Sequence, residues 1–326
     1  IRGLWDRMTS RGSQKTIDDT IGIDISKATL DAFRRSTGEH RQFSNDPAGC
    51  KTLIRWIGAG SLRVVFEPTG PYHRGLELAL VKAGLHTIKV NPRSARRFAE
   101  ATGVLAKTDR IDARVLAGMG AILDLKGRPA KTEIQYDLKE PSVARQALIE
   151  DRVAAKNRKH AAVNARLERQ LAARIKQIKG QSAEIDAAIL ACVMADPELT
   201  RRFEILCSIP GIGKITAVAL LIDMPELGGV DNKQLASLAG PAPITRRSGG
   251  WKGRARIRGG RRQVRIALYM PAVASLRCNS QLKKTSDAPI DAGKHAKVAI
   301  TAVMRKLLIF ANSLLRDNRK WNEART

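Results

Sequence analysis

Aromatic residues are scarce in this 326-residue chain, Phe, Trp and Tyr together making up 4%. That is too few for a surface that binds single strands chiefly by stacking bases on rings. Acid is scarce as well. Asp plus Glu number 31 against 58 Lys plus Arg, a formal net charge of +27, and the pI is near 10.7. Such an excess says little about fold but points to a polyanionic partner, with polyphosphate ahead of a membrane surface. Long apolar runs are missing: stretches such as AVALLI at 217–222 stop far short of the ~20 residues a spanning helix needs, so no membrane partner is expected. The first residues, IRGLWDRMTSRGS, mix charges of both signs without an apolar centre, and no signal peptide is expected. Cys50, Cys192, Cys207 and Cys278 form no C-x-x-C pair and have no histidine cluster nearby. They read as reduced, mostly packed thiols of a cytoplasmic protein, and zinc is not expected.

What is present has organisation. The length admits two domains with separate cores. DTIGIDISKATLDAFRRS at 19–36 alternates apolar and polar residues, a strand, a turn and a second strand. RVVFEPTG at 63–70 reads as a short buried strand stopped by Pro and Gly, PYHRGLELALVKAG as a helix with a Gly stop, and HTIKVNP as a further strand. Strands alternating with helices predict an α/β domain over 19–125. From Pro141 the pattern changes: Val153, Val163, Leu167, Leu171, Ile175 and Ile178 keep near-heptad spacing in a basic helix that should stop near Gly180. That predicts a helical arm over 141–195, either a coiled-coil connector or a solvated bundle helix. Residues 200–326 read as a second, mainly helical domain with a basic Gly-rich loop.

Within this basic chain, LAKTDRIDARVLAG at 105–118 places Asp109 and Asp112 one helical turn apart. Either Thr108 or Asp109 caps the helix while Asp112 satisfies a first-turn amide, or the two carboxylates, ~5–6 Å apart at Cβ, share a metal ion. Asp24 lies within a strand between two isoleucines, where a carboxylate is costly without a partner. Glu67 follows another strand. Carboxylates at strand ends and a helix start can converge at the edge of an α/β sheet, and such hard oxygens suit Mg²⁺ held against phosphate. Asp24, Glu67, Asp109 and Asp112 are therefore the candidate catalytic and Mg²⁺-binding residues.

In the second domain, LCSIPGIGKITAVALL at 206–221 reads as helix, Pro-Gly turn, helix. Gly211 and Gly213 let backbone amides approach a phosphate and Lys214 adds charge, a helix-hairpin-helix-like element; a tight interhelical turn would look the same. The loop ITRRSGGWKGRARIRGGRRQVR at 244–265 carries nine Lys or Arg and no acid. Its candidate nucleic-acid contacts are Arg246, Arg247, Lys252, Arg254, Arg256, Arg258, Arg261 and Arg262. Ser248 sits between paired arginines and paired glycines, a setting that suits a turn serine or a nucleophile attacking a phosphodiester.

These motifs also carry a resemblance. GIDISKATLDAF, FEPTGPYH, NPRSARRFAEATG and AKTDRIDARVLA, in this order, resemble the RuvC-like (RNase H-like) domain of the DEDD transposases of the insertion-sequence one-hundred-and-ten family, the bridge-RNA-guided recombinases. IPGIGKITA, LASLAGPAP, RRSGGWKG and RIRGGRRQVRIALY resemble the C-terminal transposase domain of the same family. The resemblance implies a DNA recombinase that moves an insertion sequence. Its four acids would be Asp24, Glu67, Asp109 and Asp112, holding Mg²⁺, with Ser248 as the nucleophile that links transiently to DNA. It further implies a noncoding guide RNA, a homodimer or tetramer in which acids and serine form one composite site, and work on nucleoid DNA in the bacterial cytoplasm. Two other functions fit the same residues: a Mg²⁺-dependent nuclease of the Holliday-junction-resolving type using water, and a non-catalytic nucleic-acid binder.

Overall fold

The computed structural model describes residues 19–60, 62–123, 125, 127, 133–245, 247–253 and 255–322. The chain divides into two compact units at Glu133/Ile134.

The first unit is an α/β sandwich. Its strands are β1 (Asp19–Ile25), β2 (Thr29–Arg34), β3 (His40–Ser44), β4 (Leu62–Phe66) and β5 (His86–Lys89), in sheet order β3-β2-β1-β4-β5. The first three run as an antiparallel meander, and β4 and β5 join β1 in parallel. Tight turns allow the meander. At the β1–β2 turn the Ser26 hydroxyl accepts from the amides of Ala28 at 3.2 Å and Thr29 at 2.8 Å. Parallel strands need crossovers, supplied here by α1 (Pro47–Ile57) and α2 (Arg74–Lys82).

Period-two alternation then sorts the side chains. Ile21, Ile23, Ile25, Leu30 and Val64 turn to one face and share a core with Leu53 and Ile57 of α1 and Leu76 and Leu80 of α2. Val65 and Ile88 turn to the other, packing with Leu116 and Met119 of α4 (Asp109–Ile122), near Ala95 of α3 (Pro92–Ala101). Gly22 belongs to this second face. A Cβ there would lie 2.0 Å from the Ala113 carbonyl oxygen and 2.4 Å from the Ala117 amide nitrogen. Only glycine lets the backbone of α4 rest directly on β1, and that contact sets where the start of α4 falls.

The second unit is mainly helical, as expected for this part of the chain. It comprises α5 (Glu133–Ala161), α6 (Ala165–Ala195), α7 (Pro197–Cys207), α8 (Lys214–Asp223), α9 (Asn232–Ala239), α10 (Arg262–Ser275), α11 (Ser280–Asp291) and α12 (Ala296–Arg316), with two-residue strands β6 to β9 (Pro243–Ile244, Arg247–Ser248, Trp251–Lys252, Arg256–Ile257) between α9 and α10. Its core collects Phe203, Leu206, Leu220, Leu268, Leu307 and Leu314 from four of these helices.

Three expectations are corrected here. The helix expected to stop near Gly180 runs on to Ala195, and the break falls instead at 162–164. There the Asn164 side chain accepts from the amides of Arg166 and Leu167 and starts a new helix. A mid-helix glycine costs only about 1 kcal/mol, which packing outweighs. The arm is thus an antiparallel helical hairpin, clipped by ion pairs Arg145–Asp186 and Lys159–Glu168. Ala155 and Ile178 are buried, whereas Val153, Val163 and Leu167 are exposed, Val163 fully. Second, α12 is long and apolar enough to cross a membrane by length and composition alone. No contiguous apolar run reveals it, because Lys297, Arg305 and Lys306 interrupt the letters; Val303, Leu307, Ala311 and Leu314 lie in the core. Third, the thiols are not mostly packed: Cys50 is buried and Cys207 half-buried, but Cys192 and Cys278 are exposed.

Candidate active site

The face sorting that packs Gly22 against α4 decides where Asp24 goes. Two residues further along β1, on the same face, its carboxylate lies within charge reach of Asp109 and Asp112 in the first turn of α4. Thr108 caps that turn, its hydroxyl accepting from the Ile111 amide at 3.3 Å. Of the two cap candidates, Thr108 rather than Asp109 fills the role. Glu67, one residue beyond β4, continues the alternation after Val65 and lies on the same side of the sheet.

The electrostatics bring the four together. The Asp24 carboxyl is pushed up from its ordinary value of 3.8 to about 6, by burial first, then by the charges of Asp112 and Asp109, and least by Glu67; the Ile25 amide opposes the rise. Burial and the Asp112 charge raise Glu67, with Lys107 acting against them. Burial raises Asp112 as well, Lys107 and Arg96 lowering it and Asp109 raising it. Among the described residues, none of the four makes an ion pair within 4.0 Å: Arg96 pairs instead with Glu100 at 3.1 Å. Carboxylates held in mutual repulsion, with Lys107 near but not ion-paired to them, are hard-oxygen donors of the chemical kind that divalent ions take. Among the described residues no three His, Cys, Asp or Glu side chains already enclose a point as ligands. A bound cation would have to draw the carboxylates inward.

Sequence reasoning missed Asp31. It is the direct antiparallel partner of Asp24 and shares its face, yet it is 4% exposed. Gln42 donates to both its oxygens at 3.1 and 3.2 Å, and the His40 ring nitrogen lies 3.1 Å away. Like charges directly opposite are unfavourable unless compensated, and those bonds supply the compensation. Period two in TLDAFR would have placed Asp31 on this face, had the pairing register been known.

In the second unit, Gly211 takes φ +93, and a Cβ there would sit 2.8 Å from Ser275 Cβ and 2.9 Å from the Pro271 carbonyl oxygen. Its glycine character serves packing against α10. Gly213 and Lys214 are different. Gly213 is the N-cap of α8, no side chain caps that end, and both residues are exposed. The free amides there suit an anion.

Ser248 ends β7 and pairs with Trp251 across the two-residue turn Gly249-Gly250, where Gly249 takes φ +54. Ser248 is exposed and, among the described residues, its hydroxyl makes no hydrogen bond. Arg246 and Arg254 lie outside the described residues, as do the side chains of Arg247 and Lys252. Arg256, Arg258 and Arg262 are exposed. Arg261 is not open to a phosphate in the same way: its guanidinium binds both Glu226 oxygens and donates to the Asp223 carbonyl at 2.6 Å, tying α10 to the end of α8.

Comparison with known proteins adds a separate line of observation. Residues 21–166 match a family described as "Transposase", and residues 203–287 match one described as "Transposase IS116/IS110/IS902 family". The pilin gene-inverting protein of Moraxella bovis is 31% identical over 322 residues, covering 93% of this chain and 97% of that protein. The protein of the same name from Moraxella lacunata matches with the same identity and coverage.

Proposed function

Starting from a chain that belongs to the IS110 family of DEDD transposases, and is therefore a DNA recombinase or transposase, we propose that it cuts and rejoins DNA strands through Ser248, assisted by Mg²⁺ at Asp24, Glu67, Asp109 and Asp112. The observation that carries the reading is the set of mutually repelling carboxylates on one sheet face, with Asp24 pushed up to about 6. In this reading the first unit is a RuvC-like catalytic domain, residues 141–195 are a basic arm, and residues 200–326 are a transposase domain with a helix-hairpin-helix-like element.

Bound divalent ions would supply charge stabilisation for the attacking and leaving oxygens of the phosphodiester. The rest falls to the chain. The Ser248 hydroxyl attacks phosphorus, its proton leaves to a base, and the departing strand oxygen takes a proton as the phosphoserine bond forms. The incoming strand's hydroxyl then reverses these steps and frees the serine. The open Gly249-Gly250 turn lets a phosphate reach the hydroxyl, and the arginines that flank it in sequence would oppose the charge that builds on the oxygens.

Strand exchange between labelled DNA duplexes, with and without EDTA, tests this function. Exchange that proceeds unchanged in EDTA would remove the metal from it. The net charge of +27 makes phosphate contacts the main source of affinity. If about eight phosphates are contacted, binding should weaken by roughly three to five orders of magnitude between ~50 and ~200 mM salt, measurable by fluorescence anisotropy. The family resemblance adds a noncoding guide RNA and a homo-oligomer, acting on bacterial nucleoid DNA. Recombination should then depend on adding the element's own transcript, and efficient exchange by nuclease-treated protein on DNA alone would remove the guide.

A further inference from the structure

We propose that a cleft between α1 and α2 of the first unit receives one unpaired nucleotide of the DNA strand presented to the carboxylates. The proposal deepens the recombinase reading, and rests on it for the strand being DNA. The cleft encloses about 540 Å³, within the range of pockets that bury a small ligand. Cys50, Ile54 and Leu78 give it an apolar lining, and Tyr72 adds an aromatic ring that is 39% exposed. A single ring cannot hold a run of bases, but it can hold one.

Charge decides the class of ligand. Lys27, Lys51 and Arg55 line the same cleft and make no ion pair among the described residues. Lys82 also lines it but sits 3.2 Å from Glu133. The one lining acid, Asp46, is turned to the Gly49 amide at 2.7 Å, capping α1. An apolar slot with an aromatic ring and three free cations matches a base with its flanking phosphates. A purely apolar ligand, or a peptide without acidic groups, would leave the cations without partners.

Position links the cleft to the chemistry. Lys27 lies in the β1–β2 turn just past Asp24, and Tyr72 belongs to the loop that carries Glu67 out of β4. Asn45 ties these two loops together, donating from Nδ2 to the Ser26 carbonyl at 2.7 Å and to the Tyr72 carbonyl at 3.1 Å. The carboxylates face the α3–α4 side of the strand ends and the cleft faces the α1–α2 side, so one sheet edge carries both. A strand crossing that edge would meet the carboxylates with one phosphate and the cleft with a neighbouring base turned out of its stack.

The test uses the full chain in EDTA, with a DNA duplex carrying a single unpaired 2-aminopurine, the same duplex fully paired, and an RNA duplex with the same unpaired base. Wild type should favour the unpaired DNA and change the 2-aminopurine fluorescence on binding. Tyr72→Ala should lose that change and bind roughly 5- to 100-fold more weakly, while Tyr72→Phe keeps both. Lys51→Ala with Arg55→Ala should weaken binding and flatten its salt dependence. Tyr72→Ala with unaltered affinity and fluorescence would overturn the cleft, and a Tyr72-dependent response confined to RNA would overturn the assignment to DNA. Because no cleavage is read, a failure of the catalytic reading, such as full activity in Asp24→Asn, is a separate result.

Discussion

Ser248→Ala is expected to lower strand exchange by on the order of 10⁴-fold or more and to abolish the covalent protein–DNA adduct. The hydroxyl is exposed, lies beside a two-glycine turn and makes no hydrogen bond among the described residues. Its removal should therefore leave thermal stability within about 0.5 kcal/mol of wild type, the usual range for a surface change away from structural contacts. A loss of activity in a fully folded variant would then belong to chemistry. The adduct is read on a denaturing gel with end-labelled DNA. Cleavage near the wild-type rate in Ser248→Ala would instead assign the reaction to a nuclease that uses water, with Ser248 an ordinary turn residue.

Asp24→Asn and Asp112→Asn should move stability and activity in opposite directions. Each removes one charge from a repelling set, so the metal-free variants should be at least as stable as wild type. Cleavage should fall roughly 10³-fold or more, because several kcal/mol of charge stabilisation at the phosphate would be lost. The pH dependence follows from the sign of the shift. The folded-state value of Asp24, about 6, lies above its ordinary 3.8. Its contribution to stability is therefore fully present below about 3.8 and is lost as pH rises through about 6. Metal-free wild type should lose stability across that window, and Asp24→Asn should flatten the loss. Added Mg²⁺ should restore wild-type stability above about pH 6 and do less for either variant. Thermal unfolding at several pH values, with Mg²⁺ and with EDTA, measures all of this. A destabilised Asp24→Asn that still cleaves would make the carboxylates structural.

Much of the first unit was legible in the letters because its signals are local. The alternation of Ile21, Ile23 and Ile25, the Pro-Gly stop after Phe66 and the Thr108 cap each act within a few residues. The expectation that Asp24, Glu67, Asp109 and Asp112 share a neighbourhood rested on strand-end placement plus the family resemblance, and their mutual charge effects accord with it. Asp31 was not legible, since its importance depends on register: it faces Asp24 only because β2 pairs with β1 as it does. Likewise, Arg261 looks in sequence like its basic neighbours, and only the fold turns it to Glu226.

By itself, then, the sequence determined the alternating strands, the capped helix starts, the basic excess and the order of the motifs, all properties carried by residues close along the chain or by simple counts. The tertiary structure decided the rest. It chose the break at Asn164 over the one at Gly180, the packing duty of Gly211, and the shared sheet edge of cleft and carboxylates. These depend on which surfaces meet across long separations. Burial and close approach there outweigh a propensity difference of about 1 kcal/mol per residue, so no local pattern can announce them.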